Sequence, residues 1–211
     1  MIMEEKLVLT PEQLFFLGTL MGARHIDYDY IAPMHEMGRN YQRTQRKCMD
    51  ELSQQGIIRQ RMSGETKVRP EPEALLKKVF FGQTETVLEV HTFAETPEKQ
   101  VYRFHWLEGA ATQVQQLQQN LSLSPVTQEQ MDALLTRLTR TKERPEPLTQ
   151  MEQDKVTGVL IAKRATVGVG QATVVLFEQN GGLYTMDEAA VPQGLSGSQA
   201  KEILLSVLKG E

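Results

Sequence analysis

The sequence has one cysteine, Cys48, in 211 residues, which excludes an internal disulfide and leaves no second thiol for a cysteine-based zinc site. That usage fits a reducing compartment. Aromatic residues are also scarce, at 6% with a single tryptophan, so an aromatic cluster is read first as core. Positive charge is not in excess: 23 Lys and Arg stand against 27 Asp and Glu, a net charge of −4. With a pI of 5.7, no global positive field recruits nucleic acid or an anionic membrane. Long hydrophobic runs are missing as well. The longest, Val156 to Ala162 and Val174 to Phe177, fall far short of the roughly 20 residues that cross a bilayer. The first residues carry Glu4 and Glu5 where a cleaved signal needs a basic start, and Gly18 and Thr19 interrupt the stretch Leu14 to Met21. A cytoplasmic protein is expected.

Catalytic signatures are missing too. Gly168-Val-Gly170 lies between two strand-like runs and reads as a turn, because a phosphate cradle needs a strand, a loop of convergent amides and a helix start. No Gly-x-Ser-x-Gly elbow is present, and Ser196 and Ser198 suit a helix cap. Cys48 has Arg46 and Lys47 beside it, which would lower its pKa, but an isolated cysteine on an amphipathic helix reads first as a small core residue. His25, Asp27, Asp29, His35 and Glu36 place metal-ligand types close together, yet their spacing matches no helical ligand pair. With no nucleophile or carboxylate pair to join His91 and His105, the expectation is no enzyme, no metal and no cofactor.

What is present is an ordinary globular composition, 40% hydrophobic and 24% charged. Thr10-Pro11-Glu12-Gln13 is a capping box with proline at the first helical position, and the helix it opens runs to Gly22. A loop holding Asp27, Asp29 and Pro33 follows, then a second helix over about 39–55 stopped by Gly56. A short helix after Arg69-Pro-Glu-Pro72 carries Leu75, Leu76, Val79 and Phe80. From Glu85 the period changes to two, with strands over 86–93 and 101–107 joined across Pro97. The Gln-rich stretch 113–120 fits either a third strand or a helix. Thr127 and Gln130 open a further helix bearing Met131, Leu134, Leu135 and Leu138, and 139–147 reads as a linker. Strands over 156–163, 173–177 and 183–186, the last after the Asn180-Gly181 turn, lead to a closing helix from Ser196 with Ala200, Ile203, Leu204 and Val207. Strands followed by a helix thus occur twice. The expected class is α+β: an antiparallel β-sheet with helices packed on one side, in two quasi-repeated meander-plus-helix halves.

Two features point to binding. Residues 39–69 hold eight Arg and Lys against three Asp and Glu, a local charge of +5, and a basic helix followed by Ile57-Ile58 looks like the end of a winged-helix unit. A solvated basic face is the competing reading, favoured by the acidic chain. On the strand 101–107, Tyr102, Phe104 and Trp106 alternate with Val101, Arg103 and His105. The aromatics are expected in the core and the alternating residues on an open face.

Taken in order, these elements resemble the EspG-like chaperones of type VII (ESX) secretion systems. The resemblance rests on Leu9-Thr-Pro-Glu-Gln-Leu14, Leu52-Ser-Gln-Gln-Gly-Ile-Ile58 and Leu75-Leu76 in the first part of the chain. In the last third it rests on Gly158-Val-Leu-Ile-Ala-Lys-Arg164, Val174-Val-Leu-Phe177, Gly181-Gly-Leu-Tyr184 and the closing helix from Ala200 to Leu208. It implies one EspG-like domain over 1–211, with an N-terminal half 1–142, which includes the helical segment 10–82, and a C-terminal half 148–211. It further implies a non-enzymatic cytosolic chaperone that binds a helical-hairpin secretion substrate and keeps it soluble for export. The Asp- and His-rich loop and the Gln-rich stretch suggest a Firmicutes-type relative, whose partners would be WXG-like proteins or LXG toxin N-terminal regions. The free chaperone would be a monomer or homodimer. Candidate partner-binding residues are Val90, His91, Arg103 and His105 on the first hairpin, with Gly168, Gly170 and Gln171 at the second. A winged-helix DNA-binding regulator using residues 39–69 is the alternative.

Overall fold

The structure, a computed structural model, describes residues 6–34, 40–141 and 145–209. Thr10 caps the first helix as its sequence dictates: Gln13 N donates to Thr10 Oγ1 at 3.2 Å, and Thr10 N donates to Gln13 Oε1 at 3.0 Å. Strand β1 (Leu7–Leu9) leads into this helix, α1 (Pro11–Met21). Gly22 closes it in the left-handed region at φ 75°, where glycine alone adds no strain. A short helix α2 (Tyr28–Ile31), capped by Asp27 through Asp29 N at 2.9 Å, lies where the sequence suggested only loop. Then come α3 (Tyr41–Gln54), the hairpin strands β2 (Ile58–Gln60) and β3 (Thr66–Val68), and α4 (Pro70–Phe81).

Eight longer strands and two helices follow in a repeated order. The first run is β4 (Thr84–Thr92), β5 (Glu98–Leu107), β6 (Ala110–Leu117), β7 (Asn120–Val126) and α5 (Gln128–Leu138). The second is β8 (Val156–Thr166), β9 (Gly170–Gln179), β10 (Gly182–Met186), β11 (Pro192–Leu195) and α6 (Gly197–Lys209). Hydrogen bonding joins the strands in the order β1-β7-β6-β5-β4-β8-β9-β10-β11, and β2 pairs only with β3. The expected α+β class with a large antiparallel sheet is what the chain forms. The Gln-rich stretch is strand: Thr112 and Val114 are buried while Gln113, Gln115 and Gln116 point outward or sideways, and Gln118 turns the chain at φ 55°.

The chain forms two compact units, one of residues up to Gln83 with His105–Pro125, the other of Thr84–Phe104 with Val126 onward. In the first, Leu14 and Leu17 of α1, Leu52 of α3 and Leu76 of α4 share a core with Val114, Leu121 and Leu123 of the strands. Gln13 is buried there and donates Nε2 to Glu51 Oε2 at 3.0 Å. In the second unit, α6 packs on β8, β9 and β4. Ala200, Leu204 and Leu208 are fully buried, as are Leu88, Ala162 and Leu176 on the strands. The apolar stripes of the last two helices are narrower than their periodicity implied. Met131 and Leu135 are buried in α5 while Leu134 and Leu138 are half-buried, and Ile203 of α6 is half-buried too.

The stretch expected to be a linker is in part packed onto the second unit. Tyr184 Oη donates to the Glu146 carbonyl at 3.0 Å, and beyond the stretch Glu152 N donates to Gln179 Oε1 at 3.0 Å. Gly194 has no Cβ because one would stand 2.8 Å from Pro145 Cβ.

Candidate partner-binding face

Antiparallel register fixes which side chains share a face of β4, β8 and β9. One face carries Leu88, Leu160, Ala162 and Leu176 beneath α6. The other is built in rows: Glu85–Ala165–Gln171, Val87–Lys163–Thr173, Glu89–Ile161–Val175 and His91–Val159–Phe177. Tyr184 of β10 lies opposite Phe177 and stacks on it with ring centroids 5.5 Å apart. Toward β4 this second face is open. Val175 is 47% exposed and Val101 of β5 36%, with Lys163, Thr173 and Gln171 exposed beside them.

At the centre of the face Glu89 gathers three basic groups from three strands. Lys163 Nζ lies 2.7 Å from Glu89 Oε1, and Lys99 Nζ lies 2.9 Å from Oε2. His91 Nε2 is 3.1 Å from the same Oε2. Hydrogen bonds from Lys163 and then Lys99 pull the Glu89 carboxyl down to about 2, against a smaller upward push from burial. Only 14% of this side chain is exposed, so the charge is held in place by its partners. Arg103 Nη1 reaches Glu85 Oε1 at 3.4 Å. The face therefore offers small apolar side chains, Val87, Val101, Ile161 and Val175, bordered by charges that are already mutually satisfied. Such a surface can cover an apolar partner without leaving a bare charge beneath it.

Of the candidate residues from the sequence, His91, Arg103 and Gln171 belong to this face. Val90 does not: it opposes Leu160 and turns to the side on which α6 packs. His105 is buried, 7% exposed, and its Nε2 lies 2.7 Å from Tyr30 Oη. Its side of β5 is closed locally by α2, an element the sequence reading left as loop, so the expectation that His105 faces solvent is corrected. Gly168 and Gly170 do lie in a turn, at φ 76° and 123°, alternating with Val167 and Val169, each 80% exposed. Glu89, Lys99 and Lys163 were missed. Their only sequence signal is charge at alternating strand positions, which reveals a cluster only once strand order is known.

Other candidates resolve locally. Cys48 is buried and its thiol is pushed up to about 11, first by burial and then by Glu51 and Glu12, with Lys47 opposing weakly. Cys48 is thus the small core residue that its sequence setting suggests, and burial outweighs the lowering that Lys47 exerts on its thiol. Asp27 caps α2 and His25 is exposed, while His35, Glu36 and Arg39 lie outside the described residues. No group of three metal-ligand side chains comes together among the described residues, and none of the described helices is long and apolar enough to cross a membrane.

No family model matches the chain, and no curated protein does. Among solved structures the chain is similar to the Mycobacterium tuberculosis type VII secretion system chaperone EspG5, solved in complex with the PE25-PPE41 dimer. That similarity has a TM-score of 0.59 at 9% identity and covers 97% of each chain. At this identity the likeness establishes an EspG-like fold.

Proposed function

We propose that this protein is a non-enzymatic, cytosolic chaperone of a type VII secretion system, one EspG-like domain that holds a helical-hairpin substrate soluble for export. The observation that carries the reading is similarity over nearly the full length of both chains to a type VII secretion system chaperone solved in complex with the PE25-PPE41 dimer. The open face around Glu89 supports it as the docking surface. A chaperone must shield apolar surface and still let go, which suits a few valines and an isoleucine set beside paired charges rather than a permanent greasy core. The tip valines Val167 and Val169 extend that surface at one end of the β8–β9 hairpin. The substrate is a WXG-like protein or the N-terminal region of an LXG toxin, as in a Firmicutes-type system, and the free chaperone is a monomer or homodimer.

Co-expression with any small helical proteins encoded beside its gene tests this. One of them should co-purify as a stable complex, and Val175→Arg should abolish co-purification while the melting temperature of the free protein stays within a few degrees. Arg103→Glu is the poorer probe, since it would set a second carboxylate against Glu85. Failure of every such helical product to bind would refute the chaperone reading. Binding that survives Val175→Arg would refute the docking face alone.

A further inference from the structure

The β2–β3 hairpin carries a pattern that neither its folding nor the proposed chaperone role uses. Its register places Ile58 opposite Val68 and Arg59 opposite Lys67. Ile58 is buried and Val68 half-buried, packed on the first unit's core. Strand alternation therefore puts Arg59, Arg61, Lys67 and Arg69 on the face turned away from that core, where all four are exposed. Like charges directly opposite each other destabilise a strand pair, and an isolated two-stranded ribbon has little stability to spare. Compensation on the hairpin is thin. Glu65 serves both Lys67, at 3.1 Å, and Arg61, at 3.5 Å. Arg59 and Arg69 form no ion pair among the described residues. The same four cations line a cleft of about 820 Å³, together with Glu71 and Glu73 from the start of α4.

We propose that this cleft is a docking site for an extended acidic polypeptide segment, separate from the open sheet face. The choice of an acidic peptide over a nucleic-acid duplex follows from the charges. A duplex presents phosphates on two strands across a broad surface, whereas here the four cations are confined to one cleft that they share with Glu71 and Glu73, on a chain of net charge −4. A single extended acidic segment needs only the few cations that the cleft supplies. At physiological ionic strength the attraction reaches only about 8 Å, so the local charge outweighs the acidic remainder of the molecule. The guanidinium groups of Arg59 and Arg69, which form no ion pair among the described residues, are the donors that give carboxylate recognition its geometry.

Fluorescence anisotropy of the full chain with a labelled oligo-glutamate peptide, and separately with a labelled mixed-sequence DNA duplex, tests the site. Oligo-glutamate should bind, and binding should weaken about ten-fold in the double variant Arg59→Gln, Lys67→Gln, whose thermal stability should be equal or higher because the opposed like charges are gone. A charge-matched double variant on α3, Arg43→Gln with Arg46→Gln, should stay within two-fold of the parent. The proposal is overturned if oligo-glutamate does not bind at low salt, if both double variants weaken it equally, or if the duplex binds more tightly than the peptide. None of these outcomes bears on the sheet face.

Discussion

Replacing Glu89 by Gln tests whether the open face is held together by its central carboxylate. The side chain keeps its shape but loses the charge that Lys163 and Lys99 approach at 2.7 and 2.9 Å. Lowering a carboxyl from 4.5 to about 2 corresponds to about 3 kcal/mol of preference for the folded state, at about 1.4 kcal/mol per factor of ten. Both lysines are about half exposed, so water screens the pairing and about 1–2 kcal/mol is the expected loss at neutral pH. The pH dependence has a definite sign. A folded-state pKa below the unfolded one contributes stability that is fully present above about 4.5 and disappears as pH falls toward 2. Urea unfolding of parent and Glu89→Gln at pH 7, 5 and 3 should therefore give a difference that is constant between 7 and 5 and smaller at 3. A variant as stable as the parent at pH 7, or a difference that does not shrink at pH 3, would refute the reasoning.

Two further outcomes follow from packing. Leu204→Ala empties a fully buried position where α6 meets β8 and β9 and should cost about 2–5 kcal/mol in denaturant unfolding; a loss under 1 kcal/mol would mean that α6 is not packed as described. Cys48, buried and with its thiol pushed up to about 11, should react with a chromogenic thiol reagent at pH 8 only after denaturant is added, whereas rapid reaction in the native protein would contradict its burial.

Much of the local structure was legible because its causes are local. The Thr10–Gln13 and Thr127–Gln130 boxes opened helices at the positions their side chains cap. Alternating apolar residues located most of the strands. What escaped was set by distant partners. Residues 113–117 combine good helix formers with alternation, and pairing within the sheet decided for strand. Strand β11 begins with Pro192 and contains Gly194, both poor strand residues in the abstract, yet proline is tolerated at a strand start and the missing Cβ makes room for Pro145. The site followed the same division. Alternation along β5 correctly separated Phe104 from Arg103 and His105, but whether the second side was open depended on α2, and His105 proved to be closed in by Tyr30. The Glu89 cluster draws on residues 74 apart in the chain, so only the strand order β5-β4-β8 brings it together.

The central claim, that the open face of β4, β5, β8 and β9 receives a helical secreted partner, is tested most directly by amide hydrogen exchange on the chain alone and in complex with the co-purifying helical protein. The account predicts slowed exchange at and beside Val101, Ile161 and Val175 and in the Val167–Gly170 turn, with β2, β3 and α3 unchanged. Protection confined to the first unit's helices, with these strands unaffected, would contradict it.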